Sequence, residues 1–341
     1  MVSRVASREQ ALASDPPQGR QRRPLGYGLL VAVLMTAAPG AYVAAADEAP
    51  LPDPLTLAQA LGYAPAHPRV LAGADAVAFS RRQPLYLGCH SLAFSGARGQ
   101  DDARNDAWSP LLPAETSQRL EIMQRFFDVL LADLSFARDS EAMAVAFVQY
   151  DRASARAELG QFSPLKVAEL EAEYQLIRRQ RAASEAAQRI TRSLLAQALG
   201  RPRDLPRELA APDLSAASGQ PPALETVVET ALRDNAQVRQ LVQGRSDPLR
   251  ALVEMEVREQ ALELLTRLEL FGVLAEQTKT ESKWRDLKLD ESRTMYELEV
   301  KADLGFSMSQ QTKARRAEEQ VALCRALTWA ELKALQGKPV P

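Results

Sequence analysis

Residues Arg119–Gly160 read RLEIMQRFFDVLLADLSFARDSEAMAVAFVQYDRASARAELG, and apolar side chains recur in them at alternating spacings of three and four. Such a stripe is typical of a coiled-coil seam. Its members are Leu120, Met123, Phe127, Leu130, Leu134 and Ala137. A turn over Gly160–Pro164 separates this run from a second one, which reads LKVAELEAEYQLIRRQRAASEAAQRITRSLLAQALG and ends at Gly200. The pattern predicts two antiparallel helices, each about 40 residues and on the order of 60 Å long.

The seam also predicts which side chains the hairpin buries. Phe127, Leu130 and Leu134 are expected to pack against the return helix near Ile190 and Leu194. Truncating one such buried side chain is expected to cost about 2–5 kcal/mol. Burial within one chain would weaken the case for an obligatory oligomer, whereas exposure to water would favour burial between protomers.

Composition excludes several functional classes. The chain has 341 residues, is 46% hydrophobic but only 6% aromatic, and carries a net charge of −2, which does not suggest nucleic-acid binding. His67 and His90 are isolated from each other, and Cys89 beside His90 has no further ligand at metal-site spacing. Neither a Gly-x-Ser-x-Gly motif nor a phosphate-binding glycine loop is present. We therefore expect no catalytic residue, no cofactor and no metal site, and we expect that the protein is not an enzyme.

The amino terminus has the pattern of a signal peptide over residues 1–46. Arg20, Arg22 and Arg23 precede the apolar run Leu25–Ala38, and Ala44–Ala46 offers small residues for cleavage. The alternative is an uncleaved membrane anchor, but glycines and prolines interrupt the apolar run, and a span needs about 20 apolar residues. The sequence therefore predicts export.

Export would place Cys89 and Cys324 where a disulfide can form. However, Cys89 lies in an irregular region of the sequence and Cys324 near the end of a predicted helix. A disulfide and two free thiols both stay open.

After residue 46 the chain reads as two repeats, 47–200 and 223–337, joined by a linker over 201–222 that is rich in proline, serine and glycine. Each repeat is predicted to contain a long helical hairpin, over 114–200 in the first and over 248–337 in the second. The order of helices, turns and stop signals is the same in both. The sequence therefore predicts an internal duplication.

The turns and the stops of the two repeats match. Leu159–Ser163 corresponds to Leu304–Ser307 at the turns, and Gly200 corresponds to Gly337 at the stops. Glycine suits both places because it adopts the left-handed conformation that ends a helix. Equivalent ends of stacked repeats lie together. Both turns are therefore expected at the same end of the molecule, as tight helix-to-helix turns.

The chain resembles the TolC-like outer-membrane efflux proteins of Gram-negative bacteria, as a shortened or degenerate member. Four segments in duplicated order carry the resemblance, which covers nearly the whole chain after residue 50. They are Leu55–Leu61, Phe126–Ala132, Leu159–Val167 and Tyr296–Gly305. The second of these contains Phe127-Asp128, which is similar to an aromatic-aspartate motif of the family's third helix.

The resemblance implies a homotrimer whose helices form a periplasmic tunnel below a β-barrel in the outer membrane. It also implies two partners, an inner-membrane pump and a periplasmic adaptor (membrane fusion) protein. The helical turns would face the adaptor. The candidate tip residues are Leu159, Gly160, Gln161, Phe162, Leu304, Gly305 and Phe306.

The chain departs from the family pattern where members carry a two-strand insertion in each repeat. The first repeat has one degenerate candidate over 83–112, which is either a β-hairpin or an irregular loop. The second has only Gly244–Pro248. The predicted fold class is therefore mainly α: long antiparallel coiled-coil hairpins in two internal repeats, with at most one small β-hairpin.

Two functions are compatible with this pattern. The first is a conduit component of a tripartite efflux or type I secretion system, which passively exports small molecules, metal ions or proteins and contacts the outer membrane if a barrel forms. The second is a non-channel periplasmic helical scaffold or adaptor-binding protein derived from the same family. Either protein would be exported to the outer membrane or periplasm of a Gram-negative bacterium.

Overall fold

The computed structural model describes residues 50–73, 81–95, 109–217, 219–298 and 304–340. The signal peptide predicted over 1–46 lies outside these ranges. In the described part the chain forms α-helices joined by short turns, with short 3₁₀ turns between some of them. In chain order the helices are α1 (Leu57–Leu61), α2 (Pro68–Ala72), α3 (Cys89–Ala93), α4 (Ala114–Glu158), α5 (Pro164–Ala198), α6 (Leu224–Asp234), α7 (Ala236–Val242), α8 (Asp247–Glu297) and α9 (Leu304–Leu335).

Two antiparallel helical hairpins make up most of the fold. α4 and α5 form the first, α8 and α9 form the second, and α4 packs against α9 to join them. α4 runs for 45 residues and α8 for 51. No glycine or proline interrupts α4, so its backbone hydrogen bonds continue without a break. The predicted fold class, mainly α with long helical hairpins, is confirmed.

The predicted seam of the first hairpin is buried only in part, because Leu130 and Leu134 are half-buried and Ala137 is exposed. The predicted partner face on α5 is also partly wrong. Phe127 is fully buried in the main core. On α5, Leu194 is buried as expected, whereas Ile190 is 49% exposed and Thr191 takes its place inside. α4 also packs against α9, and the core that contains Phe127 includes Leu195 of α5 together with residues of α1, α3, α8 and α9. A heptad stripe fitted to two helices therefore misplaces the inward face by one position.

The two hairpins end on comparable stops. Gly200 and Gly337 follow α5 and α9 with φ of 75° and 73°. A Cβ at Gly200 would lie 3.3 Å from the His67 ring, and one at Gly337 would lie 2.8 Å from the backbone N of Asn235. His67 and Asn235 are the N-caps of α2 and α7. Each stop glycine therefore allows the end of a long hairpin to pack on the start of a short helix.

A second core, in which α8 meets α6 and α7, is organised by the buried Asn235. Its Nδ2 donates to the carbonyl oxygens of Leu111 at 3.0 Å and Leu335 at 2.9 Å. Its Oδ1 accepts from the backbone N–H groups of Gln237 and Val238. All four bonds involve a side chain that is 0% exposed, where an unpaired amide would be costly. Asn235 thereby ties α7 to the end of α9.

The predicted linker is attached to the amino-terminal segment. The N–H of Leu55 donates to the carbonyl oxygen of Glu208 at 2.9 Å, and the N–H of Ala210 donates back to Leu55 at 2.9 Å. This pairing is an isolated parallel bridge. Leu55 is fully buried, so the bridge fixes both extended segments on the helical body.

The region 83–112 contains helical turns in its described parts. α3 occupies Cys89–Ala93 and a 3₁₀ turn occupies Ser109–Leu111, and neither described part forms a strand. Residues 96–108 lie outside the described ranges. Cys89 and Cys324 are joined in a disulfide, with Cα atoms 5.3 Å apart and a sequence separation of 235. Of the two states left open by the sequence, the structure contains the disulfide.

Glu319 on α9 provides a pH-dependent prediction. Burial raises the pKa of its carboxyl above the ordinary value, and the neighbouring Glu318 raises it further. The folded state therefore disfavours the carboxylate, so stability falls as the pH rises above about 4.5, the ordinary carboxyl value. We expect Glu319→Gln to stabilise the protein at pH 7 and to leave it unchanged below pH 4.

Solvent screening of this half-buried group should keep the gain below about 1 kcal/mol. Denaturant unfolding at both pH values measures it. Equal effects of Glu319→Gln at pH 4 and pH 7 would show that the carboxyl does not titrate differently in the folded state.

Candidate functional site: the two hairpin tips

The first tip is a tight turn between α4 and α5. The N–H of Gly160 donates to the carbonyl oxygen of Ala157, and the N–H of Gln161 donates to that of Arg156, both at 2.9 Å. This paired arrangement closes a helix with a left-handed residue, and Gly160 has φ of 71°. Ser163 then caps α5 by accepting from the N–H of Lys166. The predicted turn over Leu159–Ser163 is present.

The first tip presents apolar and cationic side chains to solvent. Leu159 is 73% exposed and Leu165 is 80% exposed. Phe162 is half-buried under the guanidinium of Arg156, whose Cζ lies 5.6 Å from the ring centroid. A Cβ on Gly160 would have no atom within 4 Å. The glycine therefore sets the turn's conformation and leaves room for a partner to approach.

The second tip differs from the prediction. α8 ends at Glu297 and α9 already begins at Leu304, so Gly305 and Phe306 are helical. The connection falls on 298–303, of which 299–303 lie outside the described ranges. Phe306 is 54% exposed. The expected tight turn over Leu304–Ser307 is therefore wrong, because these residues form the first turn of α9.

Gly305 serves close packing instead of a turn. A Cβ built on it would lie 2.5 Å from Cγ2 and 2.7 Å from Cγ1 of Val145 on α4. Real Cβ atoms do not approach other carbon atoms so closely, so α9 contacts α4 here because position 305 has no side chain. The sequence signal, a lone glycine near a helix end, is the same for a turn and for a close approach.

The two tips face the same end of the bundle but are staggered. α9 runs antiparallel to α4: after Gly305 meets Val145, Thr312 donates to Glu141 at 2.6 Å. Val145 precedes the end of α4, Glu158, by 13 residues, or about 20 Å of helix. The candidate residues therefore form two separate surfaces, and the α4–α5 tip projects beyond the start of α9.

The projecting part of α4 and α5 is a two-helix hairpin with an aromatic contact at its centre. The rings of Tyr150 and Tyr174 stack with centroids 5.9 Å apart, and Phe147 lies 5.7 Å from Tyr174. Phe147 is still 48% exposed. The aromatic rings hold the two helices together where α9 no longer covers them.

The side chains described at the first tip are mainly apolar and cationic. Within the described ranges, no group of three or more His, Cys, Asp or Glu side chains is placed to hold a metal ion. Across the described helices, none combines the length and apolarity of a membrane span. The first tip exposes Leu159 and Leu165 and carries the guanidinium of Arg156 over the Phe162 ring.

The Gly305–Val145 contact can be tested by a double-mutant cycle. We expect Gly305→Ala to destabilise the protein by about 1–3 kcal/mol, because an added methyl group overpacks the α4–α9 contact. Val145→Ala should remove the overlapping methyl groups and recover most of that loss in the double variant. Denaturant unfolding of the four proteins measures the coupling. Additive losses would show that the two residues do not touch.

Among comparisons with known proteins, only the comparison with solved structures gives matches. No protein-family model matches the chain, and no curated protein matches it. A crystal structure of CusC, from work on its folding and transmembrane channel formation, matches at 11% identity with a TM-score of 0.55, over 82% of this chain and 96% of that chain. The outer membrane protein VceC of Vibrio cholerae matches at 10% identity with a TM-score of 0.46, over 84% of this chain and 97% of that chain.

The CusC match extends over most of this chain, and CusC forms a transmembrane channel. The identity is too low to transfer residues or activity. The chain therefore has the TolC-like helical-hairpin fold.

Proposed function

We propose that this protein is a conduit component of a tripartite efflux or type I secretion system. It is exported and acts at the outer membrane or in the periplasm as a homotrimer, without catalysis or cofactor. Its partners are a periplasmic adaptor and an inner-membrane pump, and its cargo is small molecules, metal ions or proteins. The two hairpins would be the products of the internal duplication predicted from the sequence.

One observation carries this proposal. Two long antiparallel hairpins pack side by side through α4 and α9, over a region that matches a channel protein along 82% of the chain. A soluble enzyme of this size has no need of helices of 45 and 51 residues, since globular helices average about 12 residues. Helices of this length span a long distance along one axis, as the wall of a conduit requires.

We further propose that the adaptor contacts mainly the first tip. Leu159, Gly160, Gln161 and Phe162 lie on a hairpin that projects about 20 Å beyond the start of α9. The second set, Leu304, Gly305 and Phe306, lies at the start of α9, and within this set Phe306 is 54% exposed. An adaptor approaching along the bundle axis would meet the first set before the second.

The alternative, a non-channel periplasmic scaffold or adaptor-binding protein, is favoured by a different observation. Phe126, Phe127 and Leu131 are completely buried without a second protomer. The core around these side chains is therefore formed within one chain, as the scaffold alternative would require.

A photo-cross-linking experiment tests the adaptor contact. A photoreactive amino acid at Leu159 should cross-link to the adaptor in cells, and one at Leu252 should not. Leu252 is a matched control because it is 50% exposed but lies near the start of α8, at the opposite end of the bundle. Cross-links to the adaptor from both positions, or from neither, would contradict the proposed tip.

Fractionation distinguishes the two functions. A conduit should be recovered with outer membranes and released by detergent as a trimer. The scaffold alternative should be recovered in the soluble periplasm, with the Leu159 cross-link retained. Recovery in the cytoplasm would contradict both.

Gly160 provides a prediction about docking. We expect Gly160→Val to destabilise the protein by only about 1–2 kcal/mol, from the strain of a side chain at positive φ, yet to reduce adaptor binding far more. Gly244→Val is the matched control, because Gly244 has φ of 66° and equally open surroundings in the loop before α8. Binding to purified adaptor and thermal unfolding measure the two effects. Equal loss of binding in both variants would show that Gly160 has no special role in docking.

A further inference from the structure

The segment that carries Cys89 is clamped between α4 and α9. On one side, the fully buried carboxylate of Asp128 accepts the backbone N–H groups of Leu85 at 2.8 Å, Tyr86 at 2.7 Å and Leu87 at 3.0 Å. The segment ends two residues later at Cys89, the first residue of α3. Asp128 belongs to the Phe127-Asp128 motif, for which the conduit function provides no role.

The opposite side of the same segment is held by α9. Nε2 of Gln320 donates to the carbonyl oxygen of Tyr86 at 2.8 Å. Sγ of Cys324 lies 3.2 Å from the carbonyl oxygen of Leu87, a distance that the thiol of the reduced protein would span as a hydrogen-bond donor. The N–H groups of the segment thus face α4, and its carbonyl groups face the helix that carries the second cysteine.

We propose that Asp128 is the positioning residue for the Cys89–Cys324 disulfide: it fastens residues 85–87 to α4 so that Cys89 meets Cys324 when α9 docks. This role does not depend on the proposed conduit function. It assigns the aspartate of the motif to assembly of the fold and not to transport.

The order of these two contacts follows from the sequence separations. Asp128 lies 41–43 residues from the three N–H groups that it binds, whereas Cys324 lies 235 residues from Cys89. Loop-closure entropy grows with the logarithm of loop length, so the shorter contact is favoured by about tenfold. The clamp on α4 therefore forms first, and the disulfide locks it after α9 arrives.

Disulfide formation here needs an external oxidant, for which oxidised glutathione is the test reagent. One cysteine thiolate attacks a sulfur of oxidised glutathione, which gives a mixed disulfide and releases one glutathione thiolate. The second cysteine thiolate then attacks the mixed disulfide at the protein sulfur and releases the second glutathione. The protein loses two electrons and two protons, and one glutathione disulfide becomes two glutathione thiols.

The test compares Asp128→Asn with Asp133→Asn in the full chain, refolded from the reduced state in glutathione buffers. Asp133 is the matched control because it is also on α4 and is also paired, with Arg192 at 2.8 Å, but does not touch residues 85–87. Thiol trapping measures the rate of disulfide formation and its equilibrium constant with glutathione. For Asp128→Asn we expect both to fall about tenfold or more, since three hydrogen bonds to a carboxylate are disrupted. For Asp133→Asn we expect both to stay within about twofold of the unaltered protein.

A second experiment, in a protein that lacks both cysteines, distinguishes a general folding defect from the loss of positioning. In Cys89→Ser/Cys324→Ser protein, Asp128→Asn should keep the helical circular dichroism while residues 85–87 lose hydrogen-exchange protection. Unchanged disulfide formation in Asp128→Asn would overturn the proposal. Equal losses in Asp128→Asn and Asp133→Asn would overturn it as well.

Discussion

Replacing both Cys89 and Cys324 with serine is expected to lower the free energy of unfolding by about 5 kcal/mol. The disulfide closes a loop of 235 residues, which strongly restricts the unfolded chain. It also joins α3 to α9, so its loss frees the segment that Asp128 and Gln320 hold. Denaturant unfolding of the double variant and of the unaltered protein measures the difference.

Reduction of the unaltered protein is the control for this substitution. Dithiothreitol should reproduce the loss seen in the serine variant, because both remove the same cross-link. The sulfur atoms are buried, with Cys89 7% exposed and Cys324 0% exposed, so the reductant should act mainly after unfolding. A loss below about 1 kcal/mol would show that the cross-link constrains the unfolded state far less than its loop length implies.

Replacing Phe127 with alanine is expected to cost about 3–5 kcal/mol. Its ring is 0% exposed in the main core, which several helices share, so truncation leaves a cavity that long helices cannot easily close. The matched control is Phe147→Ala on the same helix, whose ring is 48% exposed and should cost no more than about 1 kcal/mol. Thermal and denaturant unfolding measure both.

The Phe127 result also bears on oligomerisation. If the core is complete in one chain, the cost of Phe127→Ala should not depend on protein concentration. A cost that grows on dilution would indicate that neighbouring protomers contribute to this core, in favour of an obligatory trimer. Similar losses for Phe127→Ala and Phe147→Ala would contradict the burial that separates them.

The sequence alone determined the helical hairpins and the position of the first tip. Between residues 114 and 158 there is no glycine or proline, and Gly160 with Pro164 then supplies one stop and one start. Helix length depends on such local signals, because each hydrogen bond joins residues only four apart. The stop at Gly200 was visible for the same reason.

Only the tertiary structure decided what these local signals leave open. Gly305 packs closely against Val145 and does not form a turn. On α5, Thr191 is buried and Ile190 is exposed. Cys89 forms a disulfide with Cys324. The Gly305 contact and the disulfide depend on how α9 packs, through contacts between residues more than 150 positions apart. Periodicity within a segment cannot indicate which second surface that segment will meet. The role of Asp128 is hidden for the same reason, since the N–H groups that it binds belong to a segment that only the folded chain brings to α4.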